Sequence, residues 1–415
     1  MTAPSSDRSG MCRVGMVGLL AMVTLVLTSC STDTIGNSTS TEPPAPLTIQ
    51  QESLQGTVTE LADELLAPGV VVLIRSPQGD FQFAHGTTTV KGQTPISLAD
   101  HARIGSNTKT FTATAILQLA DEGRIDLFDP VADHWSGVPN GENITIEQLL
   151  NMRSGLFNYS ETARLNRSLD NNPQRVWSPK QLLRMGLSRP PYFPPGEGWH
   201  YSNTNTVLLG LIAEKIEGKP LAQIIQDRFL TKLSLSGTSF PASTTSAMPT
   251  PHPQGYMYGT NLATMASPKL PPAQQKAAQN GTLLPNDVTD VNPSWTWAAG
   301  QMIATADDLA TWVKALGDGS LLSPELQAQR LDSVAPADAS LPAGGAEYGL
   351  GIAKLGPIYG HTGELPGFNS VMGYDPQTDL TIVVWSNLGS APNGDAVATT
   401  ITRALLAQIY GMPGQ

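Results

Sequence analysis

The spacing of apolar residues changes twice along this chain. Val70 to Ile74 is an unbroken, mostly β-branched run that predicts a buried strand over Gly69 to Arg75. Pro77-Gln78-Gly79-Asp80 supplies turn residues and Phe81 to His85 a second strand, which closes a hairpin. Val58 to Leu66 predicts a helix before it. Beyond the hairpin the spacing becomes helical. Phe111, Ala115 and Leu119 recur on one face with Ile116 alongside, and Asp121-Glu122-Gly123 ends that helix. Further helices are predicted over Thr145 to Met152, Thr204 to Glu217 with Gly218 as the stop, and Pro220 to Leu230. Pro241 to Pro293 is dense in Pro, Ala, Ser and Thr and predicts loop, either the lid or rim of a site or plain surface. Thr305 caps a helix that runs to Leu316.

After residue 345 the strand pattern returns. Tyr348 to Lys354, Ile358 to Thr362, Phe368 to Tyr374 and Leu380 to Ser386 are joined by turns too short for anything but antiparallel pairing, and Asp395 to Tyr410 closes as a helix. The expected class is therefore α+β. One antiparallel sheet is built from N- and C-terminal segments and flanked by helices, with a mainly helical insertion at about residues 125–300.

The 415 residues, 40% hydrophobic, are ample for such a core, and the net charge of -11 argues against nucleic acid as a partner. The first thirty residues change the picture of location. Arg8 and Arg13 precede an uncharged run from Val14 to Leu27, too short to span a bilayer comfortably. Leu27-Thr28-Ser29-Cys30 resembles a bacterial lipobox. Residues 1–29 are expected to be a signal peptide and Cys30 a lipidated N-terminus; an ordinary cleaved signal or a short anchor is the alternative. Cys12 lies in the removed part, so Cys30 would have no intrachain partner. Residues 30–49 predict a flexible tether and 50–415 a catalytic domain held to a membrane by its lipid.

Three stretches carry candidate chemistry. In Gly105-Ser106-Asn107-Thr108-Lys109, Ser106 stands at the mouth of the buried helix, where free N–H groups converge, and Lys109 follows on the same face. A serine needs a base to become a nucleophile, and a lysine can be that base when burial keeps it neutral part of the time. A capping serine beside a surface lysine is the alternative. Tyr201-Ser202-Asn203 opens a later helix. A phenol near a lysine ammonium can lose its proton near neutral pH, and Asn203 offers an amide to a substrate carbonyl. A packed loop aromatic and a helix cap are the alternatives. His361-Thr362-Gly363 ends a predicted strand. Gly363 allows close approach, and the Glu364 N–H with that of Ser106 would complete an oxyanion hole. A sheet-edge histidine is the alternative for His361.

Ser-x-x-Lys, Tyr-x-Asn and His-Thr-Gly in this order resemble the motifs of the penicillin-recognising serine hydrolases. The tyrosine form looks like class C β-lactamases, secreted D-alanyl-D-alanine carboxypeptidases and related esterases. Leu119 to Gly123, Ser154-Gly155-Leu156, Ala298-Ala299-Gly300 and the run from Gly360 to Gly367 extend the resemblance over about residues 50–412. It implies an acyl-enzyme on Ser106, with Lys109 taking its proton and then, as ammonium, supporting Tyr201. Tyr201 would shuttle protons, Asn203 would hold the substrate amide, and His361, Thr362, Gly363 and Glu364 would line the site. No metal or cofactor is implied.

β-Lactamases of this type usually carry lysine where this chain has His361, which brings the pattern closer to the peptidases. A substrate carboxylate beside His361 would favour the imidazolium, so activity on anionic substrates would rise towards pH ~6.5. The expected activity is acyl transfer on an amide or ester outside the cytoplasmic membrane. It is carboxypeptidase-like or esterase-like, on a small-molecule or peptide substrate of the cell envelope, with weak β-lactamase action. The rival is a non-catalytic binding lipoprotein that keeps the fold, and the intact Ser106, Lys109 and Tyr201 weigh against it.

Overall fold

Strands that are apolar on every residue need cover on both faces, and here they receive it. The computed structural model describes residues 47–337 and 347–412, all within the compact unit Pro44–Gln415. Cys12, Cys30, the signal peptide and most of the tether lie outside the described residues. The strands of the large sheet are β1 (Gly69–Arg75), β2 (Phe81–Gly86), β3 (Ala335–Pro336), β4 (Glu347–Tyr348), β5 (Ala353–Leu355), β6 (Ile358–Leu365), β7 (Phe368–Asp375) and β8 (Leu380–Ser386). Their order is β2-β1-β8-β7-β6-β5-β4-β3, and every pairing is antiparallel. The N-terminal hairpin thus joins the C-terminal meander through β1 and β8, with Val71 opposite Trp385 and Leu73 opposite Val383.

Alternation along these strands divides the interior in two. Val70, Val72, Ile74, Val371, Ile382 and Val384 pack with helices α1 (Gln51–Glu64) and α5 (Val397–Ile409). On the other face, Val71, Leu73, Met372, Val383 and Trp385 join a larger cluster with α2 (Thr108–Asp121), α3 (Asn203–Glu217) and α4 (Ala306–Gly317). Thr305 caps α4 by accepting from Asp308 N, and Gly218 ends α3 at φ 69°. α2 is buried on nearly every side. The Phe111 ring stacks on Trp312 with centroids 3.7 Å apart, and the Trp312 indole N–H donates to Thr110 Oγ1 at 2.8 Å.

Two expectations need correction. Tyr348 to Lys354 is not one strand. Gly349, Leu350 and Gly351 break it into β4 and β5, with Gly351 at φ 65° and its N–H donating to Leu150 O at 3.1 Å. A Cβ on Gly351 would stand 2.1 Å from Ala113 Cβ, so the break lets this corner rest on α2. The Pro-rich stretch is not plain loop either. It holds the helices Asn261–Ala266 and Pro272–Gln279 and pairs Tyr256–Met257 with Asn286–Asp287. The Asp170 carboxylate accepts from the N–H groups of Asn261 and Leu262 and so fixes the start of the first of these helices.

Candidate active site

Ser106 sits in a tight turn, Gly105–Asn107, that leads straight into α2. Gly105 has φ 51°, and a Cβ there would stand 2.7 Å from Glu364 N. A Cβ on Gly363 would stand 2.0 Å from Ile104 O. Two residues without side chains therefore let the serine turn lie directly against β6. β7 pins it there: the Ser370 hydroxyl donates to Ile104 O at 3.2 Å, and Asn107 Nδ2 donates to Ser370 Oγ at 2.8 Å. β5 pairs only with Ile358 to Gly360, so the outer edge of β6 beyond Gly360 carries no strand and faces the turn.

Lys109 is 1% exposed and has no carboxylate partner among the described residues. Its Nζ lies 2.6 Å from Asn203 Oδ1, 2.9 Å from Ala299 O and 2.9 Å from Ser106 Oγ. Burial without a counter-charge drives its pKa well below the ordinary lysine value. A neutral amine has two N–H donors and one lone pair. Asn203 Oδ1 and Ala299 O can only accept, so they take the two N–H groups. The lone pair is left for the Ser106 hydroxyl, which is the arrangement a general base needs.

Tyr201 precedes α3 with Lys109 Nζ 4.7 Å from its ring centroid. Burial raises the Tyr201 pKa, and the nearby Ser106 hydroxyl pulls it only partly back. That direction runs against the expected loss of its proton near neutral pH. Burial favours the protonated phenol, which places Tyr201 as a proton donor. Asn203 lines the cleft over Ser106 and also braces the lysine. Its Oδ1 accepts from Lys109 and its Nδ2 donates to Ser160 Oγ at 3.0 Å, so both ends of the amide are engaged within the protein.

His361 is 5% exposed. Its Nδ1 lies 2.5 Å from Thr362 O, and its Nε2 lies 3.1 Å from the Tyr348 hydroxyl. The carbonyl can only accept, so the proton sits on Nδ1 and Tyr348 donates to Nε2. Burial, reinforced by the nearby Lys109, lowers the His361 pKa to about 3. The expected imidazolium switch near pH ~6.5 is therefore absent at this position. Thr362 is exposed on the opposite face of β6.

A family model described as Beta-lactamase matches residues 54–407. The chain belongs to the Beta-lactamase family. A D-stereospecific amidohydrolase from Streptomyces sp. is 29% identical, with a TM-score of 0.71 over 86% of this chain and 99% of that one. D-amino acid amidase from Ochrobactrum anthropi SV3 shares the fold at 22% identity, with a TM-score of 0.72 over 87% and 98% of the two chains. Protein flp of Staphylococcus aureus (strain MW2) is 27% identical over 78% of this chain and 60% of its own length. The chain thus spans about 60% of the length of the curated relatives it matches.

The cleft over Ser106 has a volume of about 300 Å³. Glu364 forms one edge, its Oε1 accepting from Ser390 Oγ at 3.1 Å. The Glu364 carboxylate reaches solvent on one side but is walled in by the cleft on the other, and this partial desolvation raises its pKa. Asn158, Ser160 and Trp295 supply part of the far wall. Met257, Tyr258 and Asn261 come from the Pro-rich stretch, which makes that stretch a wall of the cleft.

Sequence reasoning missed Ser160, the Ala299 carbonyl and Tyr348. Main-chain oxygens carry no residue signature. Ser160 lies in the three-residue turn Tyr159–Glu161, too short to show a periodicity. Tyr348 had a signal in the glycines that follow it, since Gly349 and Gly351 mark a corner where the chain approaches another element.

Proposed function

We propose that this serine hydrolase cleaves small amides by acyl transfer through Ser106, outside the cytoplasmic membrane, with Cys30 as its lipid anchor. The observation that carries the chemistry is the hydrogen-bond set of Lys109: two oxygen acceptors, and Ser106 Oγ in the remaining direction. Neutral Lys109 takes the Ser106 proton as Oγ attacks the carbonyl carbon. The developing oxyanion is received by the N–H groups of Ser106 and Glu364. The Tyr201 hydroxyl gives its proton to the leaving nitrogen and regains one from the Lys109 ammonium. The amine leaves, and an ester on Ser106 remains. Water then attacks the ester, and the same groups return protons to Ser106. Asn203 holds Lys109 in register in the resting state.

The choice of amide is supported by the 29% identical amidohydrolase and by the neutrality of His361, which leaves the inner site without a fixed cation for a carboxylate. The lipid anchor is supported by the Arg-flanked apolar run and the lipobox-like tetrapeptide. The first test is mass spectrometry after exposure to a fluorophosphonate. One adduct is expected on the Ser106 peptide and none in Ser106→Ala. An adduct that persists in the variant removes Ser106 as the nucleophile. For the anchor, Cys30→Ala is expected to leave the detergent phase, and unchanged partitioning counts against lipidation.

A further inference from the structure

We propose that a second, apolar cavity beside Tyr201 is the leaving-group subsite, and that it selects amides whose amine part carries an uncharged, branched or aromatic side chain. This rests on the amide-hydrolase reading above. The cavity measures about 210 Å³. Trp199, Tyr201 and Tyr348 wall one side; Ile358, Val371 and Thr399 wall the other. It is smaller than the roughly 300–1,000 Å³ of sites that hold whole ligands. At ~30 Å³ per molecule of liquid water it equals about seven waters. That is room for one side chain.

Its position follows from the chemistry. The group that protonates the leaving nitrogen must lie within hydrogen-bond reach of it. Tyr201 is that group, and it lines both this cavity and the cleft over Ser106. The acyl part has the larger, more polar cleft, with Asn158, Ser160 and Asn261 along it. The amine part then lies on the remaining side of Tyr201, against the apolar walls.

The charge preference follows from the lining. The buried polar groups here are His361, the phenols of Tyr201 and Tyr348 and the unpartnered Trp199 indole N–H; burial keeps the first three uncharged, and the indole carries no charge. A carboxylate placed among them would lose its water and meet no cation at this inner surface. The charged lining residues are the half-buried Glu347 and Lys354 and the exposed Arg403. Lys354 Nζ lies 4.9 Å over the Tyr359 ring, turned to its strand neighbour. An apolar side chain is what the inner surface accepts.

The test uses D-phenylalanine as a fixed acyl group, with the methylamide, the isobutylamide and the D-leucine dipeptide bearing a free carboxylate. The two alkylamines have similar basicity, so intrinsic reactivity is held nearly constant. In the wild type, kcat/KM is expected to rise about tenfold or more from methylamide to isobutylamide. The free dipeptide should fall below its own C-terminal amide. Thr399→Trp, which fills the cavity from α5, should bring the isobutylamide down to the methylamide rate or below. Fluorophosphonate labelling of Ser106 in each variant reports folding and the nucleophile separately. A flat wild-type series with Ser106 labelled and amides hydrolysed overturns the subsite alone, as does a dipeptide that beats its amide. Failure to hydrolyse any amide removes the amide reading, and the subsite with it.

Discussion

The serine turn with α2 and the His361 segment of β6 each place a buried base beside Tyr201, Lys109 on the side of the Ser106 cleft and His361 on the side of the second cavity. In both, desolvation depresses the pKa and no carboxylate compensates. Yet they are not equivalent. Lys109 has two oxygen acceptors on its N–H groups and a lone pair left for Ser106. His361 donates its Nδ1–H to the carbonyl of Thr362 and accepts the Tyr348 hydroxyl at Nε2, so neither nitrogen is free. Burial makes a base neutral; its hydrogen-bond partners decide whether that neutral base is available for work.

The largest effect expected from this contrast is on acylation. Lys109→Ala should lower the rate of Ser106 acylation by about 10²–10⁴-fold, the span of a positioned general base. His361→Gln should lower it less than about tenfold, because the amide keeps the position neutral and hydrogen-bonded. Single-turnover kinetics on one substrate would show it, and equal losses in the two variants would erase the distinction.

Next comes the contact that joins the two regions. Gly363→Ala puts a methyl where Ile104 O now lies, 2.0 Å from the ideal Cβ. The serine turn must then back away from β6 and from the Glu364 N–H. Loss of one oxyanion donor corresponds to about 10²–10³-fold in kcat, and the overpacking to about 1–3 kcal/mol of stability. Full activity with a lowered urea midpoint would mean that the close approach serves the fold and not the site.

The smallest effect separates the two bases by pH. The His361 pKa is about 3 in the fold and ~6.5 in the unfolded chain. Between these values the unfolded state holds a proton that the folded state refuses, so stability rises with pH across the window and is lost as pH falls through it. The share from this group is at most about 1.4 kcal/mol per pH unit. Urea midpoints measured from pH 7 to pH 4 should fall more steeply in the wild type than in His361→Gln. Parallel curves would mean that His361 does not carry the shift.

The secondary structure was legible where one pattern ran long enough. Val70 to Ile74 and Leu380 to Ser386 read as strands because runs of that length, rich in β-branched residues and bounded by turn residues, favour strand over helix. It was illegible where Tyr348 and Lys354 looked continuous, since the corner at Gly351 exists to clear Ala113 on another element. The Pro-rich stretch misled in the same way. Its helix at Asn261 is started by Asp170, some ninety residues earlier.

The sequence by itself determined the order of the elements, the pairing of Ser106 with Lys109 and the need for a glycine before the serine. These are local facts, decided within one helical turn or one strand period. The protonation states were decided by the tertiary structure. Burial among the oxygens of Asn203 and Ala299, with no negative charge beside it, pulls the Lys109 pKa down, and burial pushes that of Tyr201 up. His361 is locked because Tyr348 reaches it from another strand. A pKa depends on how much water is removed and on which atoms replace it, and both are properties of residues brought together from distant parts of the chain.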